Sequence, residues 1–204
     1  LHLASLRRRR RRATMHPIHL ETPRLLVRPW QASDSEPFAA LNADSHVMRY
    51  FPAPFDRAAS DAMIARCSAH IAEHGFGFWA VERKGDGAFI GMVGLNIPSA
   101  PLPFAPCVEI GWRLAAEYWG QGYASEAARA CLRAGFEVFG LNEIVSFTAL
   151  LNRPSQAVME RLDMRRCAET FEHPNVPEGH PLKPHCVYRL TREHWEDREQ
   201  VTGG

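Results

Sequence analysis

Apolar and polar positions along this chain alternate with two different periods, and the changes of period mark out its elements. Leu20 to Trp30 (LETPRLLVRPW) reads as a turn and then a strand, with Leu25 and Val27 on one face and Leu26 and Arg28 on the other. Ser33 and Asp34 offer an N-cap to a short helix carrying Glu36, Phe38 and Leu41. The segment Tyr50 to Phe55 (YFPAPF) is broken by two prolines and reads as loop. Asp56 opens a second helical pattern through Ala62, Ile64, Ala65 and Ile71, ending at Gly75. Phe76 to Arg83 and Ala88 to Asn96 are strand-like, and Lys84-Gly85-Asp86-Gly87 between them is a hairpin turn signal. Four prolines keep Ile97 to Pro106 out of any central strand, and Cys107 to Leu114 (CVEIGWRL) is strand-like again.

The period then lengthens. Ala128, Cys131, Leu132, Gly135, Phe136 and Phe139 recur at helical spacing, and Gly140 closes the run. Glu143 to Leu151 is a mostly apolar strand, so strand, helix and strand follow one another as a parallel pair requires. Asn152-Arg153-Pro154-Ser155 starts a short helix through Val158, Met159 and Leu162, and a strand from about Met164 to Phe171 follows. A loop rich in histidine and proline, Glu172 to Pro184, leads to a last strand, Cys186 to Leu190, and a short polar tail. With no internal repeat and no second core, the pattern predicts one α/β domain.

Composition narrows the function classes. Hydrophobic residues make up 46% and charged residues 23%, as in a soluble globular domain. Six consecutive arginines, Arg7 to Arg12, lie in a leader, residues 1–14, unlike the rest; removing them from a net charge of +1 leaves −5. The mildly acidic body argues against a nucleic-acid-binding domain, and no apolar run is long enough to span a membrane. Met15 reads as the start of the body and the leader as an extension ahead of it; a basic arm for RNA or acidic lipid is the alternative. Cys67, Cys107, Cys131, Cys167 and Cys186 form an odd set without close pairs, which points to reduced thiols of a cytoplasmic protein. His173, His180, His185 and Cys186 match no common zinc spacing, so no metal is expected; their loop is read as shaping a binding site, together with Phe51, Phe55, Phe76, Phe78 and Trp79.

Chemistry concentrates in Tyr118 to Ala128 (YWGQGYASEAA), where Gly120 and Gly122 precede an amphipathic helix. Glycines entering a helix give backbone N–H groups close access to an anion, although a tight strand-to-helix turn would look the same. Upstream, Glu109 alternates with Val108 and Ile110 and so faces away from them.

Three segments, VEIGWRL followed by YWGQGYASEA, NRPSQAVMERLDM after the apolar strand, and LETPRLLVRPW at the start, together resemble the GNAT superfamily of N-acyltransferases. They look like the branch that contains the ribosomal-protein N-terminal acetyltransferases (RimJ/RimL-like), over Met15 to about Trp195. The resemblance implies an α/β (α+β) fold: a single GNAT-type domain over residues 15–198, with a mixed, mostly antiparallel central sheet, a parallel central pair and flanking helices, before a tail at 199–204. It implies acetyl-CoA as co-substrate without a metal, and an amine acceptor, either a protein N-terminus or a small molecule, attacking the thioester directly in a ternary complex. No nucleic acid or membrane partner is expected; a homodimer is allowed. The family's pyrophosphate loop reads Gln/Arg-x-x-Gly-x-Gly/Ala; Gly122 and Ala124 match its last two fixed positions, and Trp119 departs at the first. The resemblance therefore assigns cofactor contact to the amides of Gln121, Gly122, Tyr123, Ala124 and Ser125. Asn152 and Ser155 match its Asn-x-x-Ser, implying places near the pantetheine arm and the thiol, while locally they read as a helix N-cap. Glu109 becomes the candidate base, through water, and Ser155 the matching position for the thiol side, with Tyr188 and His185 as outlying acid candidates. An α-amine of pKa ~8 costs roughly 1.4 kcal/mol to deprotonate at pH 7 and a lysine of ~10.4 roughly 4.6, so a lysine-like acceptor asks more of the base. The rival reading is a GNAT-fold module that binds acyl-CoA without turnover.

Overall fold

The computed structural model describes residues 18–202, so the basic leader lies outside it. A short strand β1 (Leu20–Glu21) and β2 (Leu25–Arg28) lead to a tight turn and α1 (Ser35–Ala43), then α2 (Arg57–His74). The hairpin β3 (Phe78–Arg83) and β4 (Ala88–Asn96) follows, then β5 (Glu109–Leu114), α3 (Tyr123–Arg133) with a wide turn at Ala134–Val138, and β6 (Glu143–Ala149). The chain closes with α4 (Arg153–Arg161), β7 (Arg165–Glu172), β8 (Pro184–Thr191) and α5 (Arg192–Thr202). The strands make one eight-stranded sheet, ordered β1-β2-β3-β4-β5-β6-β8-β7 and antiparallel except for the parallel pair β5–β6.

Local chemistry sets the element ends. Asp56 accepts the Ala59 N–H at 2.8 Å to start α2, and Gly75 ends it in the left-handed region at φ 82°. The expected cap of α1 is different: the Asp34 carboxylate takes two bonds from Arg28, at 2.8 and 2.9 Å, and one from the Gln31 N–H at 2.8 Å. Asp34 is thus spent on a buried ion pair rather than on the helix. The expected polar tail is also different, because it forms α5. Trp195, 3% exposed, stacks on Phe136 with ring centroids 5.6 Å apart, and Arg192 bonds the Leu141 carbonyl at 2.7 Å.

The sheet separates two apolar layers. On one face Leu25, Trp79, Ile90, Val93, Leu95, Ile110, Ile144, Tyr188 and Leu190 pack with α3, α4 and α5 through Ala127, Cys131, Leu132, Met159 and Trp195. On the other, Phe38, Leu41, Met48, Cys67 and Met92 form a smaller core under α1 and α2. Cys67, Cys131 and Cys186 are buried, and all five cysteines are free. No helix among the described residues is long and apolar enough to cross a membrane.

Candidate active site

The glycine turn after β5 becomes the N-terminus of α3. Gly120 and Gly122 take φ of 71° and 80°, conformations that L side chains avoid. Gly122 is the N-cap and has no side chain to give, and the first main-chain bond into the helix is Glu126 N–H to the Gly122 carbonyl at 3.0 Å. The amides of Tyr123, Ala124 and Ser125 are thereby left for an anion, with about half a positive charge of helix dipole behind them. Glu126, in the same first turn, would oppose an anion if loose. It is held by the Thr22 hydroxyl at 2.6 Å, the Arg24 N–H at 3.0 Å and Arg24 Nε at 2.6 Å. Burial raises the Glu126 pKa, but these hydrogen bonds outweigh it and hold the group below its ordinary value. Arg24 also donates to the Gln121 carbonyl at 2.9 Å and lies 4.4 Å over the Tyr123 ring. Sequence reasoning assigned this clamp no role, since its halves lie about a hundred residues apart. Trp119 braces the turn through its indole N–H to the Leu114 carbonyl, 2.9 Å.

Beside that turn the sheet parts. β5 and β6 share one register pair, Glu109 with Val145, where Val145 N–H reaches the Val108 carbonyl at 2.9 Å. One step on, the Ser146 hydroxyl, not a backbone amide, donates to the Ile110 carbonyl at 3.0 Å. Beyond Ile110 no ladder joins the two strands. By strand alternation Trp112 is the next residue whose main chain faces β6, and no register pair joins it to that strand. The unpaired stretch lies towards the carboxyl ends of the parallel pair, where α3 and α4 both begin. That end is where open α/β sheets place ligands.

At the start of α4, Asn152 Oδ1 accepts the Ser155 N–H at 3.2 Å, as the cap reading predicts. Asn152 Nδ2 donates to Thr148 Oγ1 at 2.9 Å and to Ser155 Oγ at 3.1 Å. Ser155 Oγ thus accepts from Asn152, and its own proton has no acceptor among the described residues. Buried Gln156 fastens the turn by bonds to the Leu150 and Asn152 carbonyls, at 3.0 and 3.3 Å. The outlying acid candidates are committed elsewhere. The Tyr188 hydroxyl, in the core, donates to Glu160 at 3.1 Å, and His185 bonds the Lys183 carbonyl at 3.0 Å, with burial pushing its pKa down to about 4.

Glu109 lies where the split begins, on the sheet face away from α3 and α4. Asn96 Nδ2 donates to its Oε1 at 2.8 Å. Burial pushes the Glu109 pKa up to about 7, and the Asn96 bond, which favours the charged form, offsets only part of that. A carboxylate so placed changes protonation near neutral pH, as a general base requires. Glu109 and Ser155 thus belong to opposite faces of the sheet, with the gap between them.

The Glu109 face is walled on the β6–β8–β7 side by aromatics. Phe104 packs on Phe147 and Phe171, with centroids at 5.7 and 5.1 Å, and the His173 and His185 rings are 4.8 Å apart. The loop of residues 173–183 joins the segment between α1 and α2 where Tyr50 meets Val176 and Leu182. Phe78 lies on this face too. Phe76 and Trp79, expected beside it, belong instead to the main core. Among the described residues no group of three His, Cys, Asp or Glu side chains converges as a metal site. Nδ1 of both His173 and His180 accepts a loop N–H, at 3.1 Å each.

Known proteins share this fold. Residues 24–165 match the family model described as an acetyltransferase (GNAT) domain. The chain is 30% identical over 179 residues to the uncharacterized N-acetyltransferase YnaD of Bacillus subtilis, covering 87% of this chain and 99% of that one. It is 31% identical over 185 residues to the FsC-acetyl coenzyme A-N(2)-transacetylase of Aspergillus fumigatus, covering 86% and 77%. Mycobacterium smegmatis RimJ, solved with CoA-disulfide, shares the fold at a TM-score of 0.70 and 20% identity, over 93% of this chain and 96% of that one. The chain belongs to the GNAT family and is an acyltransferase with an acyl-CoA donor.

Proposed function

We propose that the protein transfers an acetyl group from acetyl-CoA to a primary amine by direct attack in a ternary complex. The observation that carries this reading is the pairing of Glu109 and Ser155 across the parted strands. A thioester lying in the gap would have its amine partner on the Glu109 side and its sulfur on the α4 side. Glu109, with its pKa near neutrality, takes the amine's proton through a water. The Trp112 N–H facing the gap is the donor for the oxygen that gains charge as the carbonyl is attacked. The Ser155 O–H, freed by the bond its oxygen accepts from Asn152, is the donor for the departing thiolate. The amides of Gln121, Gly122, Tyr123, Ala124 and Ser125 hold the diphosphate, and Asn152 sets the turn beside the pantetheine arm.

Within the family, the three motifs favour the RimJ/RimL-like branch, and the acceptor is an α-amine or small-molecule amine. Of these, an α-amine carries little deprotonation cost at neutral pH, matching a base of modest strength. Calorimetric titration with acetyl-CoA, followed by thiol release against a panel of peptides and amines, tests the reading. Binding with acceptor-dependent release is expected. Failure to bind CoA would sink it, and binding without turnover would leave only an acyl-CoA sensor.

A further inference from the structure

Two arginines are buried among the described residues, and they are satisfied in opposite ways. Arg28, 3% exposed, has both edges of its guanidinium on carboxylates, those of Asp34 and Glu82. Arg113, 8% exposed on β5, has none. Its Nη1 donates to Asn42 Oδ1 at 2.6 Å and to Met63 Sδ at 3.7 Å. Its Nε is buried without an acceptor, and its hydrogen bonds to described residues all leave from Nη1, none from Nη2. Burial without a counter-charge drives its pKa down to about 10. Residues 1–17 contain no acidic side chain that could serve. A buried cation left unpaired is costly, and the Nε–Nη2 edge is the fork that takes a carboxylate through two parallel bonds.

The surroundings say what kind of molecule would bring that carboxylate. Arg113 and Glu109 project from the same strand on the same face, four residues or about 13 Å apart. Between them Gly111 presents no side chain, and the Phe78 ring covers it so closely that a Cβ there would meet Phe78 Cε1 at 3.1 Å. The floor from base to guanidinium is therefore aromatic. The cover over Arg113 is Phe51, 4.4 Å from the guanidinium and 39% exposed, with Phe55 at 5.3 Å. Phe51 to Pro54 is exposed throughout, so one surface loop separates the guanidinium from solvent.

We infer that Arg113 anchors a carboxylate of the acceptor, and that the acceptor is a short zwitterion with an apolar spacer lying on Phe78, whose amine and carboxylate are about 10 Å apart, the roughly 13 Å between the two strand positions less the ~3 Å of the hydrogen bond to the guanidinium. At ~3.3 Å per extended residue, that span is a tripeptide's. The proposal rests on the acyl-transfer reading above and selects a small acceptor rather than a protein chain.

The test compares a tripeptide of small apolar residues as the free acid and as its C-terminal amide, by thiol release from acetyl-CoA. The wild type should favour the acid in kcat/KM by roughly 30-fold or more, the effect of losing one partner of a buried charge pair. In Arg113→Gln the acid-to-amide ratio should fall to near one, with CoA titration confirming the fold, and Arg113→Lys should restore part of it. Equal turnover of acid and amide by the wild type overturns the proposal, whether or not the variants fold, as does a preference that survives in Arg113→Gln. Titrating the N-acetylated acid and amide into the CoA complex separates the two readings. Selective binding of the acid with no turnover of either peptide would retain the anion site and remove the acyl-transfer reading. Equal turnover with no selective binding would do the reverse.

Discussion

The base role proposed for Glu109 conflicts with its part in stability. Its folded pKa of about 7 lies above the unfolded carboxyl value, so the protonated form favours folding. That contribution is fully present below about pH 4.5 and is lost as the pH rises through 7. Activity has the opposite dependence, because a base must be ionised; kcat/KM should fall as the pH drops below about 7. Glu109→Gln should flatten that limb and slow acceptors of high amine pKa most. It should also stabilise the protein at pH 8 by up to about 3 kcal/mol relative to wild type, with little difference near pH 4, read by urea melts at both pH values. At Gly122 the φ of 80° disfavours any side chain by ~1–2 kcal/mol, more if β-branched. Gly122→Val should therefore weaken CoA binding about tenfold or more by calorimetry. Both residues stood out in the sequence because glycine spacing and strand alternation are local signals. Arg113 did not, since nothing in GWRL marks that arginine as buried and without an acid. Neither did the Thr22–Arg24–Glu126 clamp, which exists only once β2 lies beside α3.

At the scale of elements, the strands and helices with sustained periodicity were legible to within a few residues, including the hairpin at residues 84–87 and the split helix-strand order around β5 and β6. Of the two elements missed, the two-residue strand β1 and the helix α5, the helix is instructive. The run REHWEDREQ has charge on nearly every position and one apolar anchor, so periodicity reads it as tail. The helix is held by Trp195 against Phe136 and by Arg192 on the turn before β6. Trp195→Ala should cost about 3–5 kcal/mol, lowering Tm by roughly 6–20 °C in a thermal melt. The parting of β5 from β6 was equally invisible, because Ser146 substitutes for a ladder bond without disturbing an apolar strand pattern.

Across the whole molecule, three parts far apart in sequence meet at the segment between α1 and α2. Its Tyr50 packs with Val176 and Leu182 of the loop before β8. Its Arg49 lies 4.9 Å over Trp119 of the glycine turn, and the His46 ring meets the same indole at a tilt, with centroids 4.9 Å apart. Tyr50→Ala should raise the acceptor KM several-fold while leaving the CoA affinity within about twofold, measured by steady-state kinetics and calorimetry, since Tyr50 meets the glycine turn only through Arg49, which lies 4.7 Å over its ring. The parted sheet gives this linkage a direction. One register pair joins β5 to β6, so the two halves of the sheet share few backbone bonds at the place where the pantetheine arm is proposed to lie, although one core packs against both. A molecule seated there would bond to both strands and stand in for the missing rungs, while its diphosphate, on the proposed reading, would hold the turn that carries Trp119. The segment bearing Tyr50 and Phe51 would then rest on a firm support only after the first substrate had arrived. Initial-rate patterns should accordingly be those of compulsory order, with acetyl-CoA leading, CoA leaving last and competing only with acetyl-CoA; a random order would show that the rungs are not shared.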